Sequence, residues 1–156
     1  MHEDKYKLLI VCQANYCRSP AAEVIFDQLL PQDKYFVNSA GLKPKSEPNM
    51  DPRTKDYLSR NGFQMNKIHN PKLVTSMLLK QQDKILFMDL SIMDKIRNQY
   101  PNLSNRMQLF NTPAGKFDLS DPYLSDKDQY EEIMDNIQAL SKMWKIILTQ
   151  KPWNLL

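Results

Sequence analysis

Four consecutive apolar residues, Leu8-Leu9-Ile10-Val11, run straight into Cys12-Gln13-Ala14-Asn15-Tyr16-Cys17-Arg18, and Ser19-Pro20 follows at once. The apolar run leaves no polar face, which suits a strand buried on both sides of a parallel sheet. Ser19-Pro20 predicts a helix start, because serine caps well and proline is tolerated in the first turn. Ala21, Ala22, Ile25 and Leu29 give that helix an apolar side. A buried strand that turns directly into a helix requires a sheet covered by helices.

The rest of the chain reads the same way. Tyr35–Val37 predicts a second strand, ending in Ser39-Ala40-Gly41, and Lys43–Met50 is a polar loop. Asp51-Pro52 restarts a helix that Gly62 stops. Asn70-Pro71 predicts a third helix running through Leu73, Met77 and Leu78. Lys84–Met88 reads as a strand, Ser91–Tyr100 as a helix, and Met107–Phe110 as a fourth strand. After a long loop, Asn111–Tyr123, a final helix over about Ser125–Thr149 aligns Tyr130, Ile133, Ile137, Leu140, Trp144 and Ile147. No linker or repeat divides residues 1–156, so a single α/β domain with right-handed crossovers is expected. Ligands of such sheets bind beyond the C-terminal ends of the strands, where Cys12 lies.

That location gives the loop its chemistry. Between a strand and a helix N-terminus, backbone N–H groups can turn inward as a cradle for an oxyanion. Arg18 adds a bidentate guanidinium. Cys12, at the base, is placed to attack phosphorus in line. An ordinary thiol, with a pKa of about 8.5, is only about 3% thiolate at pH 7. The helix dipole, the inward amides, the Ser19 hydroxyl and Arg18 are the groups available to favour the anion. Read alone, Cys12 with Arg18 is equally a small buried residue at a strand end; its flanking strand, the Ser-Pro helix start and the acid given below favour the nucleophile.

These residues resemble the low-molecular-weight protein tyrosine phosphatases, whose signature Cys-x-Gly-Asn-x-Cys-Arg-Ser-Pro is matched with one departure. The likeness extends through Val37–Gly41, Asp51-Pro52-Arg53, His69-Asn70-Pro71-Lys72 (lysine in place of arginine), Ile85–Asp89 and Asp121-Pro122-Tyr123. The short loop after Gly41 is most similar to that of bacterial members. The resemblance implies a four-stranded parallel sheet flanked by helices, a three-layer flavodoxin-like arrangement. It also implies a phosphocysteine intermediate on Cys12, Arg18 and the loop residues Gln13, Ala14, Asn15, Tyr16, Cys17 and Ser19 around the phosphate, and Asp121 as general acid and base. Asp118 is a second candidate for the acid. Asn15 is expected to brace the loop with Ser39 and His69, and Tyr123 to wall the cleft. In the family the second cysteine can pair with the nucleophile; Cys17 is either that partner or a small packed residue.

Three departures bear on the substrate. Ala14 replaces a glycine, at a cost of about 1 kcal/mol if that position needs a positive φ. Lys43–Glu47 carries no aromatic residue where the family often has one, and its lysines suit an acidic peptide. Tyr16 is bulkier than the usual aliphatic residue. The expected substrate is a phosphotyrosine-containing protein. A phosphoarginine phosphatase on the same fold is the first alternative. A phosphate- or phosphopeptide-binding module of low turnover is the second, and Ala14 keeps it open. An arsenate reductase would need cysteines beyond the two present. The formal net charge of +3 is scattered, so no nucleic-acid surface is expected. No apolar stretch approaches a membrane span, the N-terminus resembles no signal peptide, and two cysteines fit a reduced, cytoplasmic setting. Export by a non-classical route stays open. No cofactor or metal is expected, and the protein is expected to be a monomer.

Overall fold

The computed structural model describes residues 4–115 and 119–150. Strand β1 spans Tyr6–Cys12, helix α1 Arg18–Leu29, β2 Tyr35–Gly41, α2 Pro52–Arg60, the short α3 Ser76–Lys80, β3 Lys84–Phe87, α4 Leu90–Gln99, β4 Met107–Leu109 and α5 Lys127–Gln150. A 3-10 turn, Pro101–Arg106, leads into β4. The described strands form one four-stranded sheet in the order β2-β1-β3-β4, with every neighbouring pair parallel.

The continuous apolar run of β1 is explained by its place in the sheet. Leu8, Ile10 and Cys12 point into the core shared with α1 and α5, while Leu9 and Val11 point into the core shared with α3 and α4. Leu8 through Val11 are fully buried, and each is worth roughly 1.5–3 kcal/mol of transfer free energy. From β2 the chain crosses β1 to reach β3. The segments after β1 and β3 therefore lead to helices on opposite faces and open a crevice at the strand ends. Cys12 closes β1 on one side of that crevice, and Asp89 follows β3 on the other.

Three local expectations are corrected. Helix α1 starts at Arg18 with Cys17 in the cap position, and no side chain caps it; the Ser19 hydroxyl is used elsewhere, as described below. Asn70-Pro71 starts no helix. Gly41 and this segment exchange backbone bonds, Gly41 N–H to Lys72 O (2.9 Å) and Val74 N–H to Gly41 O (2.9 Å), which hold the segment extended beside β2. Helix α3 begins only after Thr75, whose hydroxyl accepts the Leu78 amide. In α5 the last inward position is Leu148, whereas Ile147 is exposed. By contrast, Asp51 caps α2 as expected by accepting the Arg53 amide, and Gly62 ends that turn at φ 81°.

Candidate functional site

The loop between β1 and α1 is turned inside out relative to an ordinary turn. The Cys12, Gln13 and Ala14 carbonyls accept the amides of Leu42 (3.3 Å), Lys43 (2.9 Å) and Lys45 (3.0 Å). The Asn15 carbonyl accepts His69 Nε2 at 2.8 Å. The Tyr16 and Cys17 carbonyls accept the Asp51 (2.9 Å) and Ala21 (3.3 Å) amides. Across a trans peptide, a carbonyl and the N–H that follows it point in opposite directions. With the carbonyls of residues 12–17 held from outside, the amides of residues 13–18 face the hollow of the loop. Among the described residues none of these amides is bonded to an acceptor of the protein. A tetrahedral oxyanion fits such a ring of donors.

Asn15 makes this shape possible. It takes a positive φ of 50°, a conformation asparagine tolerates better than most residues. Its side chain, fully buried, donates to Ser19 Oγ (2.8 Å) and Ser39 Oγ (2.9 Å) and accepts the Lys72 amide (3.0 Å). The Ser39 hydroxyl in turn donates to the carboxylate of buried Glu23 (2.5 Å), and Glu23 pairs with Lys67 (2.9 Å). Burial, then the Lys72 and Lys67 charges, outweigh the Asn15 bond and lower the His69 pKa. The imidazole is thus neutral at pH 7 and its Nε2–H is the donor to the Asn15 carbonyl. Ala14 does not take a positive φ, so the strain expected at that position is absent.

Ser19 Oγ lies 2.9 Å from Cys12 Sγ. Because Ser19 already accepts from Asn15, its single proton is free to be donated to the sulfur. Arg18 is 2% exposed. Nη1 donates to Asp89 Oδ1 (2.8 Å) and to the Leu119 carbonyl (2.7 Å), and Nη2 to Asp89 Oδ2 (3.0 Å). Of the five guanidinium protons these bonds use three; the two remaining, on Nε and Nη2, share one edge and form a ready fork. Burial opposes the Arg18 charge, yet the Asp89 bonds and the nearby Cys12 outweigh it and its pKa is raised.

Cys17 is a buried free thiol, as is Cys12. Burial and the Asp51 carboxylate push Cys17 up to about 12, so it is a protonated donor to Asp51 Oδ2 (3.5 Å). Arg53 holds the same carboxylate (2.8 Å) and reaches the Tyr123 and Ser125 carbonyls (2.8 and 3.4 Å). It thereby ties the segment containing Asp121 to the start of α2. Asp121 accepts the Tyr123 amide (3.1 Å). Tyr123 meets Tyr16 edge to face, with centroids 6.2 Å apart. Cys12, Ala14, Tyr16, Cys17, Arg18, Lys45, Asp121 and Tyr123 line one cavity of about 80 Å³. Asp118 lies outside the described residues.

Residues 7–152 match the family model for low molecular weight phosphotyrosine protein phosphatases. The chain belongs to that family, a group of cysteine-based hydrolases. It is 31% identical over 137 residues to the low molecular weight protein-tyrosine-phosphatase Ptp of Acinetobacter johnsonii, covering 88% of this chain and 94% of that protein. It superposes on Vibrio vulnificus Wzb, solved with benzylphosphonate, with a TM-score of 0.83 at 28% identity, over 92% of this chain and 99% of that one. The YwlE arginine phosphatase of Geobacillus stearothermophilus gives the same TM-score at 22% identity, over 93% of this chain and 94% of that one; this is a likeness of fold alone. Among the described residues no group of three His, Cys, Asp or Glu side chains is gathered as a metal site, and no helix is long and apolar enough to cross a membrane.

Within this phosphatase frame, the residues expected at the site are brought together: Cys12, Arg18 and Asp121 in the cavity, Ser39 and His69 against Asn15, and Tyr123 at the mouth. Sequence reasoning missed Asp89, Glu23, Arg53 and the position of Lys45. Asp89 had one visible signal, a carboxylate directly after a buried strand at the sheet's C-terminal edge. Glu23 had another, an acid on the helix that packs on β1.

Gly41 is also structural to the site. It pairs with Cys12 across the sheet, and a Cβ there would lie 2.8 Å from the Gln13 carbonyl oxygen and 2.9 Å from the Asn15 nitrogen. Both are backbone atoms that no rotamer change can move. Gly41→Ala is expected to lower stability by about 1–3 kcal/mol. It is also expected to weaken phosphate inhibition by about tenfold or more as the cradle is displaced. Thermal melts and the inhibition constant of inorganic phosphate check both; unchanged phosphate inhibition would show that the loop absorbs the methyl group.

Proposed function

We propose that this chain hydrolyses phosphotyrosine in proteins through a phosphocysteine on Cys12. The Cys12 thiolate attacks phosphorus, forming the S–P bond as the P–O bond to the tyrosine breaks. Asp121 gives its proton to the departing phenolate. The resulting carboxylate then takes a proton from the water that cleaves the S–P bond, releasing phosphate and restoring the thiolate. Arg18 and the inward amides hold the equatorial oxygens. The observation that carries this reading is one cavity lined by Cys12, Arg18 and Asp121 together with the rings of Tyr16 and Tyr123, which puts nucleophile, cation, acid and aromatic surface side by side. Two free thiols fit a reduced, cytoplasmic setting, and the working unit in this proposal is the monomer.

The deciding assay offers the purified protein phosphotyrosine and phosphoarginine side by side. Higher kcat/KM on phosphotyrosine is expected, and the reverse order would overturn the substrate assignment. Asp121→Ala is expected to lower kcat by about 10²–10³-fold for a phenyl phosphate with a poor leaving group and far less for p-nitrophenyl phosphate. Equal losses on both would count against Asp121 as the acid.

A further inference from the structure

We infer that Lys45 makes this site selective for phosphotyrosine flanked by acidic residues, and against phosphotyrosine flanked by basic ones. The inference rests on the phosphotyrosine reading above and names the substrate class within it. The cavity of about 80 Å³ has room for the phosphoryl group and part of a ring, so the residues flanking the phosphotyrosine lie at the mouth. Lys45 lines that cavity. Its amide is bonded to the Ala14 carbonyl, two residues after Lys43 bonds Gln13, which ties the segment to the phosphate loop. Its ammonium donates to Tyr123 Oη at 2.7 Å. It lies 4.1 Å from the Tyr123 ring centroid and 5.8 Å from that of Tyr16, so both rings hold it.

An ammonium has three protons, and the Tyr123 bond uses one. Glu47 is close enough to raise the Lys45 pKa, after the Tyr123 bond as the main cause. Yet among the described residues Lys45 forms no ion pair. Arg18, the other cation of the cavity, is bonded to Asp89 below. Of the two cations that line the cavity, Lys45 is therefore the one not paired with a carboxylate, and it has donors to spare for one. A lysine or arginine brought to the same place meets a like charge beside two rings that already hold a cation.

The test uses the full chain and matched phosphotyrosine peptides in which one position near the phosphotyrosine is Glu, Gln or Lys. Each protein is read as the ratio of its own kcat/KM values, so a general change in activity cancels. Wild type is expected to favour Glu over Gln by about two- to five-fold at low salt, the range of an exposed ion pair, and less at high salt. K45Q is expected to flatten the ratio and K45E to invert it at the same peptide position. Equal ratios in wild type and K45E, or no preference in wild type, would overturn the inference. Calorimetry with the same peptides carrying a non-hydrolysable phosphonate reads the preference without turnover. Charge-selective phosphonate binding with no phosphotyrosine hydrolysis would sink the proposed activity and leave the selector standing.

Discussion

Cys12→Ser is expected to lower kcat for a phenyl phosphate by at least about 10⁴-fold while the protein still binds a phosphonate analogue. A serine hydroxyl at this position needs a base to become a nucleophile, and the described residues place none in hydrogen-bond contact with it; Asp121, in the same cavity, is needed as the acid in that step. The bonded neighbour of the sulfur is another hydroxyl, Ser19, at 2.9 Å. His69, the nearest imidazole in the network, is spent on the Asn15 carbonyl. The thiol is different because its anion forms far more readily, and the site offers that anion a Ser19 proton, the Arg18 charge and inward amides. Binding should survive, since the amides and Arg18 do not depend on the sulfur atom. Cys17→Ser supplies the contrast: that thiol is pushed up to about 12 by burial and Asp51, donates to Asp51, and should be far less costly to replace. The check is single-turnover kinetics with calorimetric binding of the phosphonate. A serine variant within tenfold of wild type would remove Cys12 as nucleophile.

The features of this site that were legible in the sequence are those set by neighbouring residues. The strand, cradle and helix around Cys12 and Arg18 occupy one short stretch, so periodicity and the Ser-Pro start were enough to assemble them. Even there, only one of two readings of Ser19 fails: it does not cap the helix, while its hydroxyl does meet Cys12 and also Asn15. The false helix at Asn70-Pro71 has the same origin. Its local cap signal is sound, but Gly41 and Asn15 claim the backbone of Lys72 and Val74 from across the fold. The concern over Ala14 came from counting a missing glycine; the left-handed residue of the loop is Asn15, which was present all along. Asp121 could be reached only through family resemblance, because an exposed Asp-Pro turn is common. Asp89 and Arg53 had no role assigned because each acts on a partner more than 70 residues away or on backbone carbonyls: Asp89 on Arg18, Arg53 on Tyr123 and Ser125.

Asp89→Ala should therefore be the most costly change outside the residues that touch phosphate. Arg18 has 2% side-chain exposure and Asp89 21%, and the pair is bidentate. Removing the carboxylate leaves a buried guanidinium with only the Leu119 carbonyl as partner. Breaking such a pair costs about 3–5 kcal/mol, and the solvent contact of Asp89 argues for the lower end. At about 2–4 °C per kcal/mol for a chain of this size, the melting temperature should fall by roughly 6–12 °C. Phosphate should still raise it, because the bound dianion replaces part of the lost partner. The kinetic effect separates positioning from bulk stability. Without Asp89 the free Nε–Nη2 edge is no longer aimed into the cradle, so kcat should fall by about 10²-fold, while KM changes little because ground-state phosphate still finds the charge. Asp89→Asn keeps one acceptor for Nη1 and should be intermediate in both measurements. A destabilised Asp89→Ala protein with wild-type kcat, assayed well below its melting temperature, would confine Asp89 to the fold and leave Arg18 oriented by the loop alone.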